Sequence, residues 1–253
     1  NLNIVGSSPG RNIVAATSTT ASENTTFGIF VGPNASAPTT APTAITSVLT
    51  GVAAGATAAN LIVENNNVVT AARAVSINGS AATVATGLQV KNNQIGNPTA
   101  GNADQVTAIG VTVNGATNPV ISGNLIWIEG YVRSSAATHA INVGVNSVNT
   151  TGAVIEKNLI NRVKQNDLQT WAAYGVNLGG GSNHVVRNNF VSGVINDQTG
   201  GTGGFGTTFG AYGIRVGSGT GHQVYHNSVN LYGAMGGVTS TNLTAAFMVV
   251  ATT

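Results

Sequence analysis

The chain has 253 residues, of which 16 are charged (nine Lys+Arg, seven Asp+Glu), set against 31 Asn and 34 Gly. Ordinary domains carry roughly a quarter charged residues; 6% charge beside 42% hydrophobic residues argues against a charged disordered tail and against a helix-rich protein. The net charge of +2 without a Lys/Arg cluster speaks against phosphate-driven nucleic-acid binding, the lack of Cys excludes disulfides and thiol chemistry, and no apolar run reaches the ~18 residues of a membrane span. Low charge with abundant Asn, Thr, Ser and Gly points to an extracellular or cell-surface setting.

In chain order, Leu2–Val5 and Phe27–Val31 read as short strands, and the Thr/Ala/Pro-rich stretch 33–60 reads as a long loop or a mucin-like segment within one domain, 1–253. A repeat then sets in with Val63-Glu-Asn-Asn66-Asn-Val68 and returns as Val90-Lys-Asn-Asn93-Gln-Ile95 and Ile121-Ser-Gly-Asn124-Leu-Ile126. Ile155-Glu-Lys-Asn158-Leu-Ile160, Val186-Arg-Asn-Asn189-Phe-Val191 and Val224-Tyr-His-Asn227-Ser-Val229 complete it. The anchoring Asn residues lie 27, 31, 34, 31 and 38 positions apart. Gly110-Val-Thr-Val113, Gly175-Val-Asn-Leu178 and Gly213-Ile-Arg-Val216 form a second strand signature, each ending 11 positions before an Asn. Ala246–Val250 looks like a further copy. A constant signature with variable spacing implies a fixed frame with loops of different length, among them 96–108, 129–139 and the Gly/Thr-rich 193–211.

Side-chain parity defines the frame. Each Asn shares a strand face with the apolar residue two places on, whereas the Val or Ile three places earlier falls on the opposite face. Both ends are apolar, so the chain must turn between them. The residue just before the Asn is Asn65, Asn92, Gly123, Lys157, Asn188 or His226, and all but Lys157 are types that tolerate the left-handed region. A one-residue corner there keeps both strands facing inward. Short Val/Ile strands, tight corners and turns of about 30 residues describe a parallel β-helix, in which stacking creates the core that no single turn could bury.

These segments resemble the right-handed parallel β-helix repeats of the pectate-lyase-like superfamily, and most of all those of large secreted or surface-attached bacterial proteins. The stretch Gly213–Tyr232 carries the likeness best. The resemblance implies an all-β solenoid of about seven rungs over roughly residues 27–250. The same scaffold hosts lyases, hydrolases, adhesins and tailspikes, so the fold leaves the activity open.

Stacking turns the alignment into expected columns about 4.8 Å apart. Asn66, Asn93, Asn124, Asn158, Asn189 and Asn227 are expected to form an inward amide ladder. Two places earlier, Glu64 neighbours Lys91 and Glu156 neighbours Arg187, so these charges should pair across adjacent turns. His184 and His222 share a column without a carboxylate, so no metal site is assigned; His139 falls in a loop. Trp171, Tyr174, Phe209 and Tyr212 align as an aromatic strip that could meet a glycan, pack under loops or contact a subunit. Asp167 and Asp197, nine and eight residues after their Asn, are the candidate carboxylate pair for acid/base chemistry or Ca²⁺; otherwise no cofactor is expected.

Family enzymes cluster acids for Ca²⁺ beside a basic residue, or set three Asp with His and Arg-x-Lys. Here no Asp-Asp and no Arg-x-Lys occur, and Gly221-His222 is followed by Gln223 rather than Gly. No capping sequence is visible at either terminus, and open strand edges need cover. The sequence therefore predicts a structural or adhesive element: a segment of a larger bacterial surface protein, or a filament subunit associating end to end. The alternatives are a non-catalytic glycan-binding module and a polysaccharide lyase or hydrolase.

Overall fold

The computed structural model describes residues 3–5, 12–15, 27–31, 59–79, 84–130, 137–144, 150–165, 171–197, 210–233 and 243–250. Among these, every regular element is a strand, and no helix is long and apolar enough to cross a membrane. All strand pairings are parallel. The first ladder stacks Asn3–Val5, Ile62–Glu64, Gln89–Lys91, Val120–Ser122, Val154–Glu156, Val185–Arg187 and Gln223–Tyr225. The second stacks Asn12–Ala15, Asn66–Val69, Gln94–Ile95, Leu125–Glu129, Leu159–Gln165, Phe190–Asn196 and Ser228–Asn230. The third stacks Phe27–Val31, Ala71–Asn78, Val106–Asn114, Thr138–Val143, Ala173–Leu178, Ala211–Val216 and Thr244–Val249. The chain visits first, second and third ladders in turn, so each coil adds one strand to every ladder. This is a parallel β-helix.

The expected tally of about seven rungs needs one qualification. The outermost coils are not closed: Phe247 and Val249, on inward columns of the last described coil, are 49% and 61% exposed, and Val224 and Val229 are only half-buried. Fewer coils than seven therefore enclose a full core. Within those, Val63, Val90, Ile121, Ile155 and Val186 line one wall, Val68, Ile95, Ile126, Ile160 and Val191 the next, and Val75, Val111, Ile141, Val176 and Ile214 the third. Removing that much apolar surface from water drives the stacking, because a lone coil buries none of it.

The corner between the first and second ladders is the expected one. Asn65, Asn92, Gly123, Lys157, Asn188 and His226 all have φ between 55° and 65°. Two further corners went unread. A second bend falls at Thr70 (φ 54°), just past Asn66–Val69, and inside the second-ladder strands at Arg162 (65°) and Gly193 (59°). Thr and Arg are poor markers of left-handed backbone, since a Cβ, and a branched one above all, crowds it. Residues 193–196, expected as loop, are consequently strand. Leading into the first ladder, Asn60, Gly87, Asn118, Gly152, Asn183 and Gly221 occupy one column at positive φ. Asn and Gly alternate there without exception. A Cβ on Gly87, Gly152 or Gly221 would strike the Oδ1 of Asn60, Asn118 or Asn183 in the coil before, so each Asn side chain covers the bare glycine that follows it.

Candidate functional site

Inside the first corner the six expected Asn residues form an unbroken hydrogen-bonded series. The backbone N–H of Asn66 donates to Oδ1 of Asn93 at 3.0 Å, and the same bond at the same length links Asn93 to Asn124, Asn124 to Asn158, Asn158 to Asn189 and Asn189 to Asn227. Each Nδ2 also donates to that next Oδ1, at 2.9–3.1 Å. It reaches back to the carbonyl of the inward Val or Ile one coil earlier, from Val63 for Asn93 to Val186 for Asn227. From Asn93 to Asn189, each carboxamide thus accepts from the coil behind and donates to both neighbours. This use of both ends of the amide explains why Asn, and not Ser or Asp, stands at the position. Asn12 stands in the same register column, which the repeat did not show. It pairs with Asn66 by register, but five extra residues between Val5 and Asn12 broke the spacing that marks the others; the Asn-x-Val of Asn12–Val14 was the surviving signal.

The histidine column builds a second polar stack. His184 and His222 lie ring on ring, centroids 4.8 Å apart at 14°. Nδ1 of His184 accepts the N–H of Ala153, and Nδ1 of His222 accepts the N–H of His184, at 3.1 and 3.3 Å. The Nε2 atoms meet the carbonyls of Gly180 and Ser218, four residues earlier, at 2.9 and 3.1 Å. With Nδ1 accepting and Nε2 donating, the buried His184 ring is held in its neutral form. Burial, reinforced by the His222 ring and opposed by the Gly180 carbonyl, lowers the His184 pKa to about 4. Gly181-Ser-Asn-His184 and Gly219-Thr-Gly-His222 share a Gly-x-x-His pattern with the Gly at φ 89° and 101°, the signal that could have revealed this corner.

Most of the other described charged side chains are paired. Glu64 pairs with Lys91 at 3.5 Å and Glu156 with Arg187 at 2.8 Å, as the columns require. Arg162 pairs with Glu129 at 3.6 Å and also donates to the carbonyls of Asn97 and Pro98. Asp197 pairs with Lys164 at 3.0 Å, while Asp167 lies outside the described residues. Asp104 accepts from the Thr70 hydroxyl. Among the described residues no three His, Asp or Glu side chains come together as a metal would need.

On the third ladder the aligned tyrosines do stack, and His139 joins them. It sits in the strand Thr138–Val143 rather than in a loop, 4.6 Å from the Tyr174 ring, which lies 5.6 Å from Tyr212. Arg215 lies over Tyr174 at 5.5 Å. Tyr174 and Tyr212 are buried, which raises both phenol pKa values against the opposing Arg215 charge. Trp171 is half-buried, and Phe209 lies outside the described residues.

With this geometry in hand, comparison with protein-family models, curated proteins and solved structures finds no match for the chain.

Proposed function

We propose that the chain is a stiff structural or adhesive element of an extracellular, bacterial-surface assembly, either a segment of a larger surface protein or a subunit of a filament. The uninterrupted amide series from Asn66 to Asn227 carries this reading. It spends the polar interior on holding coil to coil. The described carboxylates add to it: four are tied to a neighbouring cation and the fifth to a hydroxyl, which leaves them as braces rather than as an acid and a base.

Electron micrographs of the purified chain test the proposal. Straight rods, with an axial spacing near 4.8 Å in diffraction from aligned samples, are the expected result. Depolymerisation of any acidic or neutral polysaccharide, with or without Ca²⁺, would overturn it in favour of an enzyme. The half-buried Trp171, three residues before the buried Tyr174, favours the second reading, a glycan-binding module. Glycan-array binding that disappears in Trp171→Ala would establish that alternative.

A further inference from the structure

We infer that His184 is an acid-operated catch: protonation of its ring releases the corner 180–184 from the coil before it, while the Asn corner of the same coil stays closed. The inference goes beyond the structural reading above and does not depend on it.

Packing alone does not call for a histidine at this position. The residue just before each first-ladder strand occupies one column, which reads Leu61, Leu88, Pro119, Ala153, His184 and His222 by register. Leu61, Leu88 and Ala153 are buried in the apolar core, and His184 is as deeply buried as they are. An imidazole stands where other coils place an aliphatic side chain. The property it adds is that it can take up a proton.

Geometry leaves that second proton no favourable place. The Ala153 N–H is a donor and nothing else, so Nδ1 of His184, 3.1 Å away, accepts; Nε2, 2.9 Å from the Gly180 carbonyl, donates. A further proton goes to Nδ1, where it faces the Ala153 N–H donor to donor. The ring has no room to turn away. A Cβ on Gly181 would lie 2.8 Å from its Nε2, and the His222 ring stacks on it at 4.8 Å. No counter-charge faces it among the described residues. In the first-ladder strands packed here, Glu156, Arg187 and Tyr225 lie on the outward face, where Arg187 holds both of the others. Lys157 and His226 stand at the next corner, and His222 brings a ring rather than an anion. A charge without a partner in a dry interior is expelled. Burial accordingly holds the His184 pKa at about 4, against an ordinary 6.5.

The opening is local. In the same coil the Asn189 carboxamide still accepts the Asn158 N–H, and the Asn189 N–H still donates to Asn227; neither amide titrates. The seam that parts lies between Ala153 and His184, beside the inward Ile155 and Val186. Hydrogen–deuterium exchange tests this through the amides of Gly152, Ala153 and Ser182, which bridge the two coils here. The freed ring titrates at its ordinary 6.5 and the held ring at about 4. Protection of these amides, corrected for intrinsic exchange, should therefore fall on the order of a hundredfold from pH 7 to pH 4. The amides of Asn124 and Asn158, held by the carboxamide series, should keep theirs. His184→Leu copies Leu61 and Leu88, and His184→Gln keeps an acceptor; both should hold the corner's protection in acid. Unchanged protection at the three amides, a uniform loss along the chain, or an acid response that persists in both variants would each overturn the inference.

Discussion

At the corner between the first and second ladders, the N–H of each coil is met by a carboxamide; at the corner on the far side of the first ladder, in the last two described coils, it is met by an imidazole. Both groups accept a forward N–H and both hold a backbone carbonyl in exchange. They differ in what they can repeat. The amide carries two N–H donors, so it bonds forward and backward at once and runs from Asn66 to Asn227. The imidazole spends its one N–H on a carbonyl of its own coil, Gly180 for His184. Its coupling to the next coil comes from ring contact and a single Nδ1 bond. The amide cannot titrate in the physiological range, and the imidazole can.

Breaking the amide series should have the largest effect. Asn158→Leu leaves the Asn124 N–H and Nδ2 without their acceptor and the Ile121 carbonyl without its donor, all in a dry interior. At about 1–3 kcal/mol for each orphaned group, the loss should reach roughly 4 kcal/mol in urea unfolding. A loss under about 1 kcal/mol would mean that the series is not what couples the coils.

Acid sharpens the contrast next. The folded pKa of His184, about 4, lies below the ordinary 6.5, so between these values the unfolded chain binds the extra proton. Stability contributed here is complete above pH 6.5 and is lost as pH falls through 4, on the order of 3 kcal/mol in all. Thermal melts from pH 7 to pH 4 should show this slope in the wild type and a flatter one in His184→Gln. Equal slopes would place the titration elsewhere.

A smaller effect is expected at the alternating column. Gly152→Ala forces a Cβ into positive φ and against Asn118 Oδ1, for roughly 2 kcal/mol. Adding Asn118→Gly should recover the steric half and leave the ~1 kcal/mol owed to backbone conformation. Full additivity of the two substitutions would contradict that contact. The smallest change is predicted for Arg187→Ala, because its pair with Glu156 lies at the surface and is screened by solvent; the midpoint of the same urea titration should scarcely move, and a clear shift would contradict this.

What the sequence made legible follows from which positions repeat. The six inward Asn residues, the first corner and the Glu64–Lys91 and Glu156–Arg187 pairs were readable, since stacking forces equivalent residues to answer one another. The corner at Thr70 and Arg162 was hidden because their backbone is imposed by the coils on either side against local preference. His139 read as loop because its strand carries neither of the repeat signatures, although its neighbour by register is Tyr174. For Asp197, sequence distance paired it with Asp167. Asp167 lies outside the described residues; the structure sets Asp197 beside Lys164, because Phe190–Asn196 continues as strand and delivers Asp197 to the coil before.

The alternation of Asn60, Gly87, Asn118, Gly152, Asn183 and Gly221 bears on how such a chain finds its register at all. A stack of similar coils is open to slipped threading, in which one coil is skipped and its neighbours pair wrongly. Here odd and even coils are not interchangeable. Skipping one sets Asn where its predecessor's carboxamide already lies, or leaves two glycines with an empty corner between them. The column works as a parity check on assembly, rejecting single-coil slips and admitting only the far rarer slip of two.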